Sequence, residues 1–224
     1  MESVVISLGG SVILSDEADV RFFKDLVDLL KKLSQNCKIF IIVGGGKTAR
    51  TYIKTGRTIG FDEKTLDQIG IDITRINAKF LASIVRISNK IIPVTTDEAK
   101  EMKEDIVIMG GTTPGHSTDM VGAELAEKTK ASKYIIATNV DGVYDKDPNK
   151  HPDAKKFDEI SVKQLINDYG TSWESAGKNT VIDGPALEII DRAEIQTIVL
   201  NGKKLDELEK AITNQKFNGT IIKN

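Results

Sequence analysis

The chain has 224 residues, of which 40% are hydrophobic and 29% charged, with a net charge of −2 and one cysteine, Cys37. That length supports a sizeable core in one large α/β domain or two small ones. The balanced charge gives no electrostatic basis for a nucleic-acid or membrane partner, and no apolar run approaches the roughly 18 residues of a membrane span. One cysteine excludes an intramolecular disulfide and points to a reducing compartment.

The start enters Val4-Val5-Ile6 directly, with no basic segment before it, so no signal peptide is expected and a cytoplasmic location is. Val4 to Leu8 reads as a strand ended by Gly9-Gly10, and Phe22, Phe23, Leu26, Val27, Leu29, Leu30 and Leu33 mark one helix face. Ile39 to Val43 is a second buried strand, opening through Gly44-Gly45-Gly46 onto a helix. Leu66, Ile69, Ile73, Ile76, Phe80, Ile84 and Ile87 recur at steps of three and four, which predicts a long amphipathic helix. Next come the apolar run Ile91 to Val94, a short acidic helix near Thr96 to Lys103, and the strand Ile106 to Met109, ended by Gly110-Gly111. Thr118 to Lys130 has helical spacing, and Tyr134 to Ala137 is another buried strand. This alternation predicts an α/β fold with a mainly parallel sheet covered on both faces.

The texture changes at Asp141. Asp141 to Asn149 is rich in turn formers and predicts a hairpin or an excursion. A helix near Ser161 to Asn167 follows, then a polar Gly/Ser stretch, Tyr169 to Asn179, that reads as a mobile loop. Asp183 to Arg192 is helical, Thr197 to Leu200 a strand, Leu205 to Ile212 a helix, and Thr220 to Ile222 a last apolar segment. With no repeat and no linker, residues 1–224 are expected to form a single domain.

Glycines between a buried strand and a helix let a ligand approach the backbone, where the free N–H groups of the first turn attract anions. Lys47 and Arg50 add positive charge beside Gly44-Gly45-Gly46. A Walker A loop would need a glycine where Ile41 stands. A dinucleotide fingerprint would need a second strand carrying an acid, where the long helix lies instead. Tight turns would explain any one of the three strand-to-glycine junctions. All three along one sheet edge are better explained by two phosphorylated ligands facing each other. No Cys/His cluster has zinc spacing and no Ser/His/Asp triad pattern is visible, so no protein metal site is expected.

Four motifs then occur in order: Leu8-Gly9-Gly10-Ser11, Val43 to Arg50, Gly110-Gly111-Thr112-Thr113-Pro114-Gly115-His116-Ser117-Thr118-Asp119, and Thr138-Asn139-Val140-Asp141-Gly142-Val143-Tyr144. Together they resemble the amino acid kinase family, most closely its archaeal branch acting on uridine monophosphate (UMP). The resemblance implies a three-layer α/β/α sandwich and a homohexamer built as a trimer of dimers. It implies transfer of the ATP γ-phosphate to UMP, with Mg²⁺ accompanying ATP, in pyrimidine nucleotide biosynthesis. The part up to about residue 135 would serve mainly UMP and the remainder mainly ATP.

The resemblance also implies site roles. Gly9, Gly10 and Ser11 lie against the ATP phosphates, Gly45 touches UMP, and Gly46 and Arg50 face the nucleotide phosphates. Asp67 binds the UMP ribose hydroxyls, and Thr112, Thr113, Pro114, Gly115, His116, Ser117 and Thr118 wrap the UMP phosphate and base. Thr138, Asn139, Tyr144 and Asp147 form the ATP nucleoside pocket. Many members carry a lysine where this chain has Ser7, so Lys47, with Arg50 and the metal, is expected to supply the catalytic charge. Asp119 either holds the lysine or metal or merely caps a helix. The alternatives are a kinase of the same fold acting on isopentenyl phosphate, carbamate or an acidic amino acid, and a non-catalytic nucleotide-binding regulator, the latter motivated by Ser7.

Overall fold

The computed structural model describes residues 2–13, 19–171 and 181–224. Its elements run β1 (Ser3–Leu8), α1 (Gly10–Ile13), α2 (Val20–Leu33), β2 (Lys38–Val43), α3 (Gly46–Thr58), α4 (Glu63–Val85), α5 (Thr96–Glu101) and β3 (Ile106–Met109). They continue as α6 (Thr118–Thr129), β4 (Lys133–Thr138), β5 (Glu159–Ser161), α7 (Val162–Tyr169), α8 (Gly184–Ala193), β6 (Thr197–Asn201), α9 (Leu205–Ile212) and β7 (Thr220–Lys223).

Among the described residues the sheet has seven strands in the order β3-β2-β1-β4-β6-β7-β5. All neighbours are parallel except β6 and β7. Strands buried on both faces must be apolar throughout, and the alternation in β1 decides which layer each residue enters. Val4, Ile6 and Leu8 pack with α2, α4 and α9, whereas Val5 packs with α5, α6 and α8 on the other face. The result is the expected α/β/α sandwich.

Local chemistry sets the helix starts. Asp19 accepts from the Phe22 N–H at 3.0 Å, Asp62 from Thr65 at 2.8 Å, and Thr95 from Glu98 at 3.1 Å. Each satisfies an N–H that has no intrahelical partner.

The apolar run Ile91 to Val94 stays out of the sheet, and Ile91 is 78% exposed. Asn89 occupies the place a further strand would take. Its amide accepts from the Ile108 N–H at 2.6 Å and donates to the Ile108 carbonyl at 2.9 Å, closing the β3 edge. The turn-rich segment after Asp141 is an excursion rather than a regular hairpin, with one antiparallel bridge between Tyr144 and Lys156. From residue 172 to 179, the stretch expected to be mobile lies outside the described residues. No helix among the described residues is long and apolar enough to cross a membrane.

Candidate active site

Parallel strands in register bring their carboxyl ends to one edge: Leu8 lies beside Val43 and Ala137, Ile42 beside Met109, and Thr138 beside Asn201. The first two glycine junctions meet there in direct backbone contact. Gly44 N–H donates to the Leu8 carbonyl at 2.9 Å, and Gly9 N–H to that of Ala137 at 2.9 Å. A Cβ at Gly10 would fall 2.2 Å from the Gly46 nitrogen and 2.5 Å from the Gly44 oxygen. Gly46 itself sits at φ +65°, where side chains are rarely accommodated. The two loops form a wall with no side chain between them.

A cleft of about 590 Å³ opens against this wall. It is lined by Gly9, Gly10, Ser11, Gly46, Arg50, Thr138, Asn139, Tyr144 and Asp147, together with Gly45, Thr118 and Asp119. Lys146, which the motifs do not single out, lines it too and pairs with Asp153 at 2.6 Å. Lys47 is exposed on the first turn of α3 and is not among the lining residues. His151 is exposed elsewhere, and Cys37 is buried in the core.

Ser7, 3% exposed, points from β1 toward α6 and donates to Asp119 Oδ1 at 2.6 Å. The N-cap of α6 is Ser117, which accepts from the Met120 N–H at 2.9 Å, so the Asp119 carboxylate is not the cap. Burial, reinforced by the nearby Asp183 charge, pushes the Asp119 carboxyl up to about 7, against the opposing Ser7 hydrogen bond. Burial also raises Asp183, which caps α8 through the Ala186 N–H at 2.9 Å and accepts from the Ser117 hydroxyl. Tyr134 completes the cluster, its buried hydroxyl donating to the Asp119 carbonyl at 2.9 Å.

The third junction builds a separate loop over α4. Thr74 Oγ1 accepts from the Gly111 N–H at 2.7 Å, and Asp67 Oδ2 from the Gly115 N–H at 2.8 Å. Arg75 donates to the carbonyls of Gly111 and Thr112 at 3.1 and 2.7 Å. Asn77 of the same helix donates to the Gly44 carbonyl at 2.9 Å, tying this loop to the wall. Thr112, Thr113, Pro114, Gly115, His116 and Ser117 lie outside the lining of the cleft. Thr112 Oγ1 and His116 Nδ1 are buried without a hydrogen-bond partner, and such orphans mark a place for a ligand or water.

Thr74, Arg75, Asn77, Lys146 and Asp183 escaped the motif reading. Thr74 and Asn77 had a signal, being polar residues inside the buried stripe of an otherwise apolar helix face, whereas the half-buried Arg75 had none.

Glycine-ended parallel strands, a helix N-terminus and an arginine around one cleft define an α/β protein that handles phosphorylated ligands. The chain belongs to the amino acid kinase family, whose model matches residues 2–201. It is 45% identical to the uridylate kinase of Methanococcus aeolicus, with 98% of each chain covered. It is 42% identical to the uridylate kinase of Archaeoglobus fulgidus, over 98% of this chain and 99% of that one. The crystal structure of the Archaeoglobus fulgidus uridylate kinase matches with a TM-score of 0.86, covering 99% of this chain and 100% of that one. An isopentenyl phosphate kinase shares the fold at a TM-score of 0.70 and 15% identity.

Proposed function

We infer that this chain is an ATP-dependent UMP kinase, transferring the γ-phosphate of ATP to UMP to give UDP and ADP. The backbone contact between Gly10 and the Gly44–Gly46 turn carries this reading, because it sets two phosphate-binding loops side by side with nothing between them. Identity to two uridylate kinases over nearly the whole chain supports UMP as the acceptor. The acceptor loop and helix offer Asp67, Arg75, Thr112 and His116, a polar set that suits a nucleotide better than an isoprenoid.

The UMP phosphate is anionic at neutral pH and needs no general base. Catalysis is then in-line positioning plus neutralisation of charge gathering between two anions. We assign Gly9, Gly10, Ser11, Thr138, Asn139, Tyr144 and Asp147 to ATP, and Gly45, Asp67 and residues 112–118 to UMP, within a single domain. Arg50, from the second turn of α3, faces the phosphates, and Lys47, one turn earlier, brings further charge to the entrance.

Among the described residues no group of three or more His, Cys, Asp or Glu could hold a metal. Mg²⁺ needs only one or two carboxylates plus substrate phosphates. Asp119, which lines the cleft and is raised by burial and the nearby Asp183 charge, is the carboxylate that a hard cation would relieve. Mg²⁺ held there would screen the donor phosphate charge. Self-association, which we take to be a trimer of dimers from the family resemblance, is favoured by large apolar residues exposed on and around α3 and α4, including Ile59 at 66%, Ile76 at 66% and Phe80 at 44%. We assign the protein to pyrimidine nucleotide synthesis and, as the single cysteine suggests, to the cytoplasm.

A coupled ADP-release assay across UMP, CMP, dUMP, carbamate and isopentenyl phosphate tests the reading. UMP is expected to give the highest kcat/KM. A faster rate on any other acceptor overturns the substrate, and binding of UMP and ATP without turnover overturns the activity in favour of a regulator.

A further inference from the structure

The backbone donors of the loop over α4 can be followed one by one. The Gly111 N–H goes to Thr74, the Gly115 N–H to Asp67 and the His116 N–H to the Thr113 carbonyl at 3.2 Å, while Pro114 has none. The N–H groups of Thr112 and Thr113 have no partner among the described residues. Across a trans peptide the C=O of one residue and the N–H of the next point in opposite directions. Arg75 holds the carbonyls of Gly111 and Thr112 against α4, so it turns the N–H groups of Thr112 and Thr113 away from the helix. The unpartnered Thr112 Oγ1 and His116 Nδ1 belong to the same loop.

The phosphate cleft takes Gly45, Gly46, Arg50 and Thr118 but none of residues 112–117, and Asp67 adjoins the loop at Gly115. The loop therefore sits toward the nucleoside end of the acceptor. We propose that Arg75 is a positioning residue for base selection: by fixing two carbonyls it aims two N–H donors at the carbonyl oxygens of uracil. Uracil offers acceptors at both its oxygens, whereas cytosine presents an amino donor in place of one of them, donor against donor. This inference rests on the reading of the chain as a UMP kinase and adds the origin of its base preference.

The test compares kcat/KM for UMP and CMP, and KM for ATP, in the wild type, Arg75→Met and Arg75→Lys. Losing the aimed donors lowers kcat/KM for UMP by about 30-fold and that for CMP by no more than about threefold, so the UMP:CMP ratio falls about tenfold. KM for ATP stays within about twofold, which also reports that the variant folds. Lysine keeps the charge without the fork that spans two carbonyls, so Arg75→Lys follows Arg75→Met. An equal loss for both acceptors overturns the proposal and leaves Arg75 a packing residue. A wild-type ratio in Arg75→Lys overturns it in favour of charge alone, and is decisive even if the methionine variant does not fold. A wild-type protein active on neither acceptor overturns the kinase reading itself, and this inference with it.

Discussion

On the side assigned to ATP, the excursion after Asp141 is tied to the last strands of the sheet. Thr220 of β7, fully buried, accepts from the Val143 N–H at 2.9 Å and donates to the Phe157 carbonyl. At the end of β6 Asn201 donates to Asp141 at 3.0 Å, and beyond it Lys204 pairs with Asp141 at 2.8 Å and holds its carboxyl below the usual range. On the side assigned to UMP, one helix does most of the holding, through Asp67, Thr74 and Arg75, while Asp183 at the start of α8 takes the Ser117 hydroxyl. The donor pocket is thus fixed by residues 60 to 77 positions away from the segment they hold, and most of the acceptor loop by two turns of α4 lying 36 to 48 positions away. A change of acceptor needs substitutions only on one helix and one loop, whereas a change of donor disturbs the C-terminal third of the sheet.

The largest effect is expected where the two sides touch. Gly10→Ala puts a methyl group 2.2 Å from the Gly46 nitrogen, a backbone clash that neither loop can relieve by a rotamer change. We expect a loss of stability of about 3 kcal/mol in urea titration and a rise in KM for both substrates, which would erase the division between the sides. An effect on one KM alone would show that the wall is less rigid than its contacts imply.

Asp119→Asn belongs to the chemistry rather than to either pocket. Turnover should fall about 100-fold or more with little change in either KM. Its stability carries a defined sign. The folded carboxyl sits at about 7 against an ordinary 3.8, so the folded chain holds the proton more tightly than the unfolded one over that interval. Stability from this group is therefore lost as pH rises from about 4 to about 7. The asparagine variant has no charge to bury, so its gain in ligand-free Tm over the wild type should be larger at pH 8 than at pH 5. An equal gain at both would remove the buried carboxylate from the account.

Thr220→Val gives the smallest effect and the cleanest separation. It removes two hydrogen bonds around the excursion at nearly constant volume. KM for ATP should rise about tenfold while KM for UMP holds, and Thr220→Ser should restore it. A matching rise for UMP would break the comparison.

Much of this molecule was legible in sequence because burial on both faces leaves a plain mark. Runs such as Ile39 to Val43 admit one reading when flanked by glycines and amphipathic helices. The residues assigned to ATP came from the resemblance, and they line the cleft because most of them stand at or just after the carboxyl end of a strand. Arg75, Asp183 and Thr220 were not legible, because each acts on a segment at least 36 residues away through contacts that only the packing creates. Composition alone does not say whether the apolar run Ile91 to Val94 joins the sheet, because it is the packing of the Asn89 amide on Ile108 that occupies the neighbouring edge.

That amide has a consequence for how copies of the chain can meet. Asn89 gives the Ile108 backbone both of the hydrogen bonds a neighbouring strand would offer there, and the opposite margin of the sheet is β5, three residues long. Neither border offers a long open ladder on which a second molecule could continue the sheet. Growth by strand addition, the route to fibres, is blocked at one border by a single side chain and at the other by brevity. Contact between copies is left to the helical faces, where apolar side chains such as Ile76 and Phe80 stand exposed and an assembly can close on itself.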